Sequence, residues 1–161
     1  MTVSAQQLER ERDLTGMVLE EQLAWERPRP GSLDEYTIAV DFDGVIHSYT
    51  TPWISPEVIP DPPVEGAIAW LAEMLEHFSV CIHTTRARTP EGVAAVRAWL
   101  KAHAPKDRPD MQLFETYFRI TSEKPAALIY LDDRAYRFEG PGTFPTRDQI
   151  HRARPWNKRI A

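Results

Sequence analysis

Asp41 and Asp43 stand one residue apart in "TIAVDFDGVIHSY", at the end of a short apolar run and directly before Gly44. A carboxylate at the end of a buried strand loses hydration, and a second one beside it adds like-charge repulsion. Something positive is therefore expected there. Other chemistry-bearing residues also follow apolar runs: Thr84, Thr85 and Arg86 after "SVCIH", Lys124 in "SEKP" after "YFRIT", and Asp132 with Asp133 closing "AALIYLDD". Converging carboxylates are best reconciled by a hard divalent cation, and Mg²⁺ takes one or two carboxylates together with substrate phosphate. Gly44 would let the chain turn sharply after the acidic pair. Taken singly, Asp43 could be a helix cap and Lys124 a solvated side chain. Their common placement favours a site.

The elements that must position these residues alternate between strand and helix. "YTIAV", "FSVCIH", "YFRIT" and "AALIYLDD" read as strands. Residues 64–78 put Ile68, Leu71, Leu75 and Phe78 on one helical face; Thr89 can cap a helix that starts at Pro90, with Val93, Val96 and Leu100 spaced along it. This order predicts an α/β fold: a Rossmann-like parallel sheet with helices on both faces. In such sheets ligands bind beyond the carboxyl ends of the strands, where the polar residues gather. Residues 5–26 predict a helix carrying Leu14, Met17, Val18 and Trp25 on one face, followed by the linker "RPRPGS". The expected division is an N-terminal helical extension and linker over 1–31 and a catalytic domain over 32–161 with a basic tail. The N-terminal helix is a candidate surface for packing on the domain or for homo-oligomer formation.

In order, "DFDGV", "VCIHTTR", the lysine of "SEKP" and "LIYLDD" resemble the four motifs of the haloacid dehalogenase-like (HAD) hydrolase superfamily, over about residues 36–140. Val45 stands where that family most often has Thr. The resemblance implies a Mg²⁺-dependent phosphatase in which Asp41 attacks phosphorus and Asp43 serves as acid, then base. Thr84 would hydrogen-bond the transferring phosphoryl group, and Lys124 would balance its charge and that of Asp41. The metal would be held by a side-chain oxygen of Asp41, the backbone carbonyl of Asp43 and Asp132, with Asp133 acting through water. Gly44, Thr85 and Arg86 are candidates for substrate binding, as is Arg134 for phosphate.

Family members draw specificity from a cap after the first motif or before the third, and neither interval here has room for a large cap domain. Capless relatives include phosphatases of nucleic-acid ends and of phosphoproteins, and small oligomeric sugar-phosphate phosphatases closed by a neighbouring subunit. The loop over residues 47–63 could cover part of the mouth, with His47, Tyr49 and Trp53 facing substrate. The expected substrate is a phosphorylated nucleic-acid end or nucleotide. The alternatives are a small-metabolite phosphatase and a non-catalytic phosphate-responsive module. Receiver domains carry their acidic pair and phosphoacceptor on different strands, so the D-x-D spacing favours a hydrolase.

The net charge of −5 argues against general affinity for nucleic acid, yet residues 147–161 hold five Arg or Lys against one Asp. That tail either gathers a polyanion or packs on the core through Ile150 and Trp156. The single cysteine, Cys81, lies in an apolar run and reads as a buried thiol. No apolar run approaches the roughly 18 residues of a membrane span, and the first residues lack a signal peptide's pattern. A cytoplasmic protein with no membrane partner is expected.

Overall fold

The structure is a computed structural model that describes residues 36–158. The helix expected over 5–26 and the linker at 27–32 lie outside the described residues, as do the last three residues of the tail. The strands are β1 (Thr37–Asp41), β2 (Ser79–His83), β3 (Arg119–Thr121) and β4 (Ile129–Leu131). The α-helices are α1 (Ala67–Met74), α2 (Pro90–His103) and α3 (Arg147–Arg152). Single turns of 3₁₀ helix occur at Thr85–Arg88, Pro109–Met111, Phe114–Thr116 and Trp156–Lys158.

All four strands are parallel, in the order β3-β2-β1-β4. The expected α/β class is observed. In register, Asp41 lies beside His83, His83 beside Thr121, and Val40 beside Leu131. Parallel strands aligned this way bring the residues that follow each of them to one edge of the sheet. β1 and β2 are central, and Ile38, Ala39, Val40, Val80, Cys81 and Ile82 are all buried, as expected of strands covered on both faces. β4 has only β1 as a neighbour among the described residues, and its Ile129 is 57% exposed.

α1 is shorter than the apolar pattern over 64–78 predicts, because Gly66 adopts a left-handed φ of 81° and residues 64–66 form a turn. Ile68, Leu71, Leu75 and Phe78 nevertheless all reach the core. At α2, Thr89 caps as expected, its hydroxyl accepting from Gly92 N at 3.1 Å, with Pro90 in the first turn. Val96, Trp99 and Leu100 are the buried side of that helix. The Cys81 thiol is buried, and burial pushes its pKa up to about 11. No described helix is long and apolar enough to cross a membrane.

Candidate functional site

The D-x-D spacing follows from what lies between the two acids. Phe42 is fully buried, edge-on to Trp99 at 5.1 Å and stacked on His47 at 5.5 Å. Successive side chains on an extended backbone point to opposite sides, so seating Phe42 in the core sends Asp41 and Asp43 the other way. The chain then folds back, with Ile46 N and His47 N both donating to the Phe42 carbonyl and Gly44 N donating to that of His47. Gly44 has a φ of 96°, and a Cβ there would stand 2.6 Å from Asp133 Oδ2. Glycine is thus needed twice: for the turn and for the close approach of the residue that ends the β4 segment.

Asp41, Asp132 and Asp133 each offer a carboxylate oxygen within 4.8 Å of the others. Asp41 Oδ1 accepts from Phe42 N at 2.7 Å and Asp132 Oδ1 from Arg134 N at 2.7 Å. The buried Asp133 Oδ1 has no hydrogen-bond partner among the described residues. Burial pushes the Asp41 carboxyl up to about 7 against the opposing Phe42 N–H, with the charges of Asp132, Asp43 and Asp133 adding to the rise. Asp133 is also raised, chiefly by burial. An all-oxygen donor set with unrelieved negative charge and an orphaned buried oxygen fits a hard cation.

Asp43 is handled in the opposite way. Arg86 donates from Nε to Asp43 Oδ2 at 2.8 Å and from Nη2 to Oδ1 at 2.9 Å, while His47 Nδ1 lies 2.8 Å from Oδ1. Burial alone would raise this carboxyl, but hydrogen bonds from His47 and Arg86 and the Arg86 charge outweigh it and hold the pKa below the usual range. On the other side of the ring, His47 Nε2 lies 3.3 Å from Asp61 N and 3.5 Å from Asp61 Oδ2, so the imidazole bridges the two acids. Asp61 in turn receives the Thr51 hydroxyl at 2.7 Å, Thr51 N at 2.9 Å and the Thr50 hydroxyl at 2.9 Å. Burial works against its charge, but the Thr51 and Thr50 hydrogen bonds hold its pKa down at about 2.

Two expectations are corrected here. Arg86 does not face outward toward phosphate: it is 1% exposed, and its Nη1 donates to the carbonyls of Ser55, Pro56 and Val58. Its guanidinium also lies 4.5 Å from the Trp53 ring. His47 does not face substrate either, being fully buried between Asp43 and Asp61. The reason is shared. A half-buried carboxylate and a loop rich in unpaired carbonyls need donors more than a solvated phosphate does.

Thr84 is buried after β2, its N bonded to the Thr121 carbonyl at 2.9 Å and its hydroxyl oxygen accepting from Arg86 N at 3.3 Å. Thr85 beside it is exposed. Lys124 is exposed on the loop after β3, its ammonium 4.7 Å from the Tyr130 ring and forming no ion pair among the described residues. The Tyr130 hydroxyl donates to the Pro125 carbonyl, pinning that loop to β4. A pocket of about 340 Å³ lies beside β1 and β4, lined mainly by apolar residues such as Val40, Ile46, Trp70 and Leu131 together with Glu65; Asp41, Asp43, Asp132 and Asp133 do not line it.

Sequence reasoning missed Asp61, Gly92 and the contacts of Asn157 and Lys158 with the carbonyls of Ser48 and Tyr49. A Cβ on Gly92 would stand 2.0 Å from the Arg86 carbonyl oxygen, so α2 begins hard against Arg86. Of these, only Asp61 carried a signal: an acid placed between prolines just before an apolar helix. Ile150 is 60% exposed and does not anchor the tail, whereas Trp156 Nε1 donates to the Gly44 carbonyl at 2.5 Å. No family model matches this chain, and neither a curated protein nor a solved structure was found to match it.

Proposed function

We propose that this chain is a Mg²⁺-dependent phosphomonoester hydrolase of the haloacid dehalogenase-like type, without a large cap domain, working through an aspartyl phosphate. The observation that carries the reading is the cluster of Asp41, Asp132 and Asp133 at adjacent strand ends, where burial and mutual repulsion leave Asp41 hard to ionise. Mg²⁺ held by Asp41, Asp132, Asp133 and the backbone carbonyl of Asp43 would favour the Asp41 carboxylate and draw negative charge from a phosphoryl oxygen.

In the first step an Asp41 oxygen bonds to phosphorus as the bond to the leaving oxygen breaks, and the leaving oxygen takes the proton that Asp43 carries into the step. In the second, water attacks the same phosphorus, its proton passes to Asp43, and inorganic phosphate leaves with Asp41 restored. Arg86 and His47 favour the ionised Asp43, the form that accepts a proton. The Thr84 hydroxyl accepts from Arg86 N and so keeps its own hydrogen for a phosphoryl oxygen. Lys124 would balance charge from the β4 side. The substrate class we propose is a phosphorylated nucleic-acid end or nucleotide, on the strength of the basic tail and of the short interval between motifs.

The test is turnover of nucleotides, sugar phosphates and 3′- or 5′-phosphorylated oligonucleotides by the full chain, with Mg²⁺ and with chelator. Mg²⁺-dependent phosphate release that is lost in Asp41→Asn supports the reading. Release that survives that substitution or ignores chelation rejects it.

A further inference from the structure

The described chain ends by returning to the candidate site. From the 3₁₀ turn at Trp156–Lys158, three consecutive side chains reach backbone carbonyls of the loop that follows Asp43. Trp156 Nε1 donates to Gly44 O at 2.5 Å, Asn157 Nδ2 to Ser48 O at 3.1 Å and to Tyr49 O at 3.0 Å, and Lys158 Nζ to Tyr49 O at 3.4 Å. The loop's own backbone hydrogen bonds end on the carbonyls of Phe42, Ile46 and His47, which leaves those of Gly44, Ser48 and Tyr49 to be met from elsewhere. Tyr49 has a φ of 51°, a left-handed conformation that a non-glycine residue keeps only when its surroundings hold it there. The tail supplies two donors to its carbonyl.

The consequence for the site runs through Gly44. Its carbonyl is fixed by Trp156, and its α-carbon is the surface on which the Asp133 carboxylate rests. Moving Gly44 moves Asp133, one of the three clustered acids. Trp156 is 48% exposed, so the segment adds little to the core, and its contacts fall on the site loop.

We infer that Trp156 and Asn157 are positioning residues for the candidate metal site, setting the 44–49 loop and through it Asp133. The inference rests on the phosphatase reading only for its effect on turnover, since its effect on cation binding can be read without substrate. Trp156→Phe keeps the ring and removes the N–H; Asn157→Asp keeps the shape and replaces two donated hydrogen bonds with charge facing carbonyl oxygens. Partners standing behind metal ligands change metal affinity by about 10–100-fold. Both variants of the full chain are expected to bind Mg²⁺ about tenfold more weakly by calorimetry, whereas Ile150→Ala on α3 binds as the wild type does.

Hydrogen exchange separates positioning from general support. Faster exchange confined to peptides covering 44–49 and 132–133, with β1 and β2 unchanged, is the expected pattern. Wild-type Mg²⁺ affinity in both variants, or faster exchange across the whole sheet, overturns the inference. A wild-type chain that binds Mg²⁺ but releases phosphate from no ester rejects the phosphatase reading, and the Mg²⁺ titrations of the variants still decide the role of the tail.

Discussion

Asp41 and Asp43 are chemically alike, separated by the single residue Phe42, and placed in opposite electrostatic states. Asp41 is pushed up to about 7 by burial and neighbouring acids, whereas Asp43 is held low by His47 and Arg86. One faces only like charge and the other is already paired with a cation, Arg86. Asp41→Asn, with a poor nucleophile and a poorer ligand, is expected to reduce Mg²⁺-dependent phosphate release at least about a thousandfold with the fold retained by circular dichroism. Asp132→Ala should raise the Mg²⁺ needed for half-maximal turnover at least about tenfold, with partial rescue by excess Mg²⁺. Unchanged dependence would shift the ligand role to Asp133. Arg86→Met strands a buried carboxylate and should cost about 3–5 kcal/mol in urea unfolding; adding Asp43→Asn should recover part of that loss, because the stranded charge is then gone.

Between residues and fold stands the loop over 47–63, which no regular element contains. It is held from three sides: by Arg86 at the carbonyls of Ser55, Pro56 and Val58, by Asp61 at Thr50 and Thr51, and by Trp99 of α2, whose Nε1 donates to the Asp61 carbonyl at 3.1 Å. α2 therefore does more than cover the sheet. Its first turn abuts the Arg86 carbonyl at Gly92, so Gly92→Ala must displace one or the other. That variant should lose phosphatase activity and stability together, and a wild-type melting temperature would show that the contact relaxes freely. Thr89→Ala removes the cap of the same helix and should cost about 1 kcal/mol, measured by urea unfolding.

Across the whole molecule, the cluster of Asp41, Asp132 and Asp133 ties stability to pH and, on the proposed reading, to Mg²⁺. An acid raised from about 4 to about 7 on folding costs nothing while it is protonated in both states, and its penalty grows as pH climbs through that window. Asp61, depressed to about 2, acts in reverse: its contribution is present above about pH 4 and is lost as pH falls toward 2. Metal-free protein should accordingly lose melting temperature between about pH 4 and 7, and the rise produced by Mg²⁺ should grow over the same range, because the ion binds ionised Asp41. A Mg²⁺ effect independent of pH would separate the ion from Asp41.

The strands, the capped start of α2 and the approach of Asp41 and Asp132 at adjacent strand ends were legible in the sequence, because apolar periodicity and strand order are local properties. The alternation around Phe42 likewise explains from three residues why two acids share a side. What the sequence could not decide is which cation meets which acid. Arg86, following β2, is a phosphate candidate by its strand-end position and His47 a substrate candidate by its place on the 47–63 loop, yet each is drawn inward by partners distant in the chain: Asp43 and the 55–58 carbonyls for one, Asp61 for the other. The return of Trp156 and Asn157 to Gly44, Ser48 and Tyr49 has no periodic signal at all, since a single side chain meeting a backbone carbonyl more than a hundred residues away leaves no pattern in composition or spacing. Local patterning set the elements; unpaired charges and carbonyls found their partners only when the chain closed on itself.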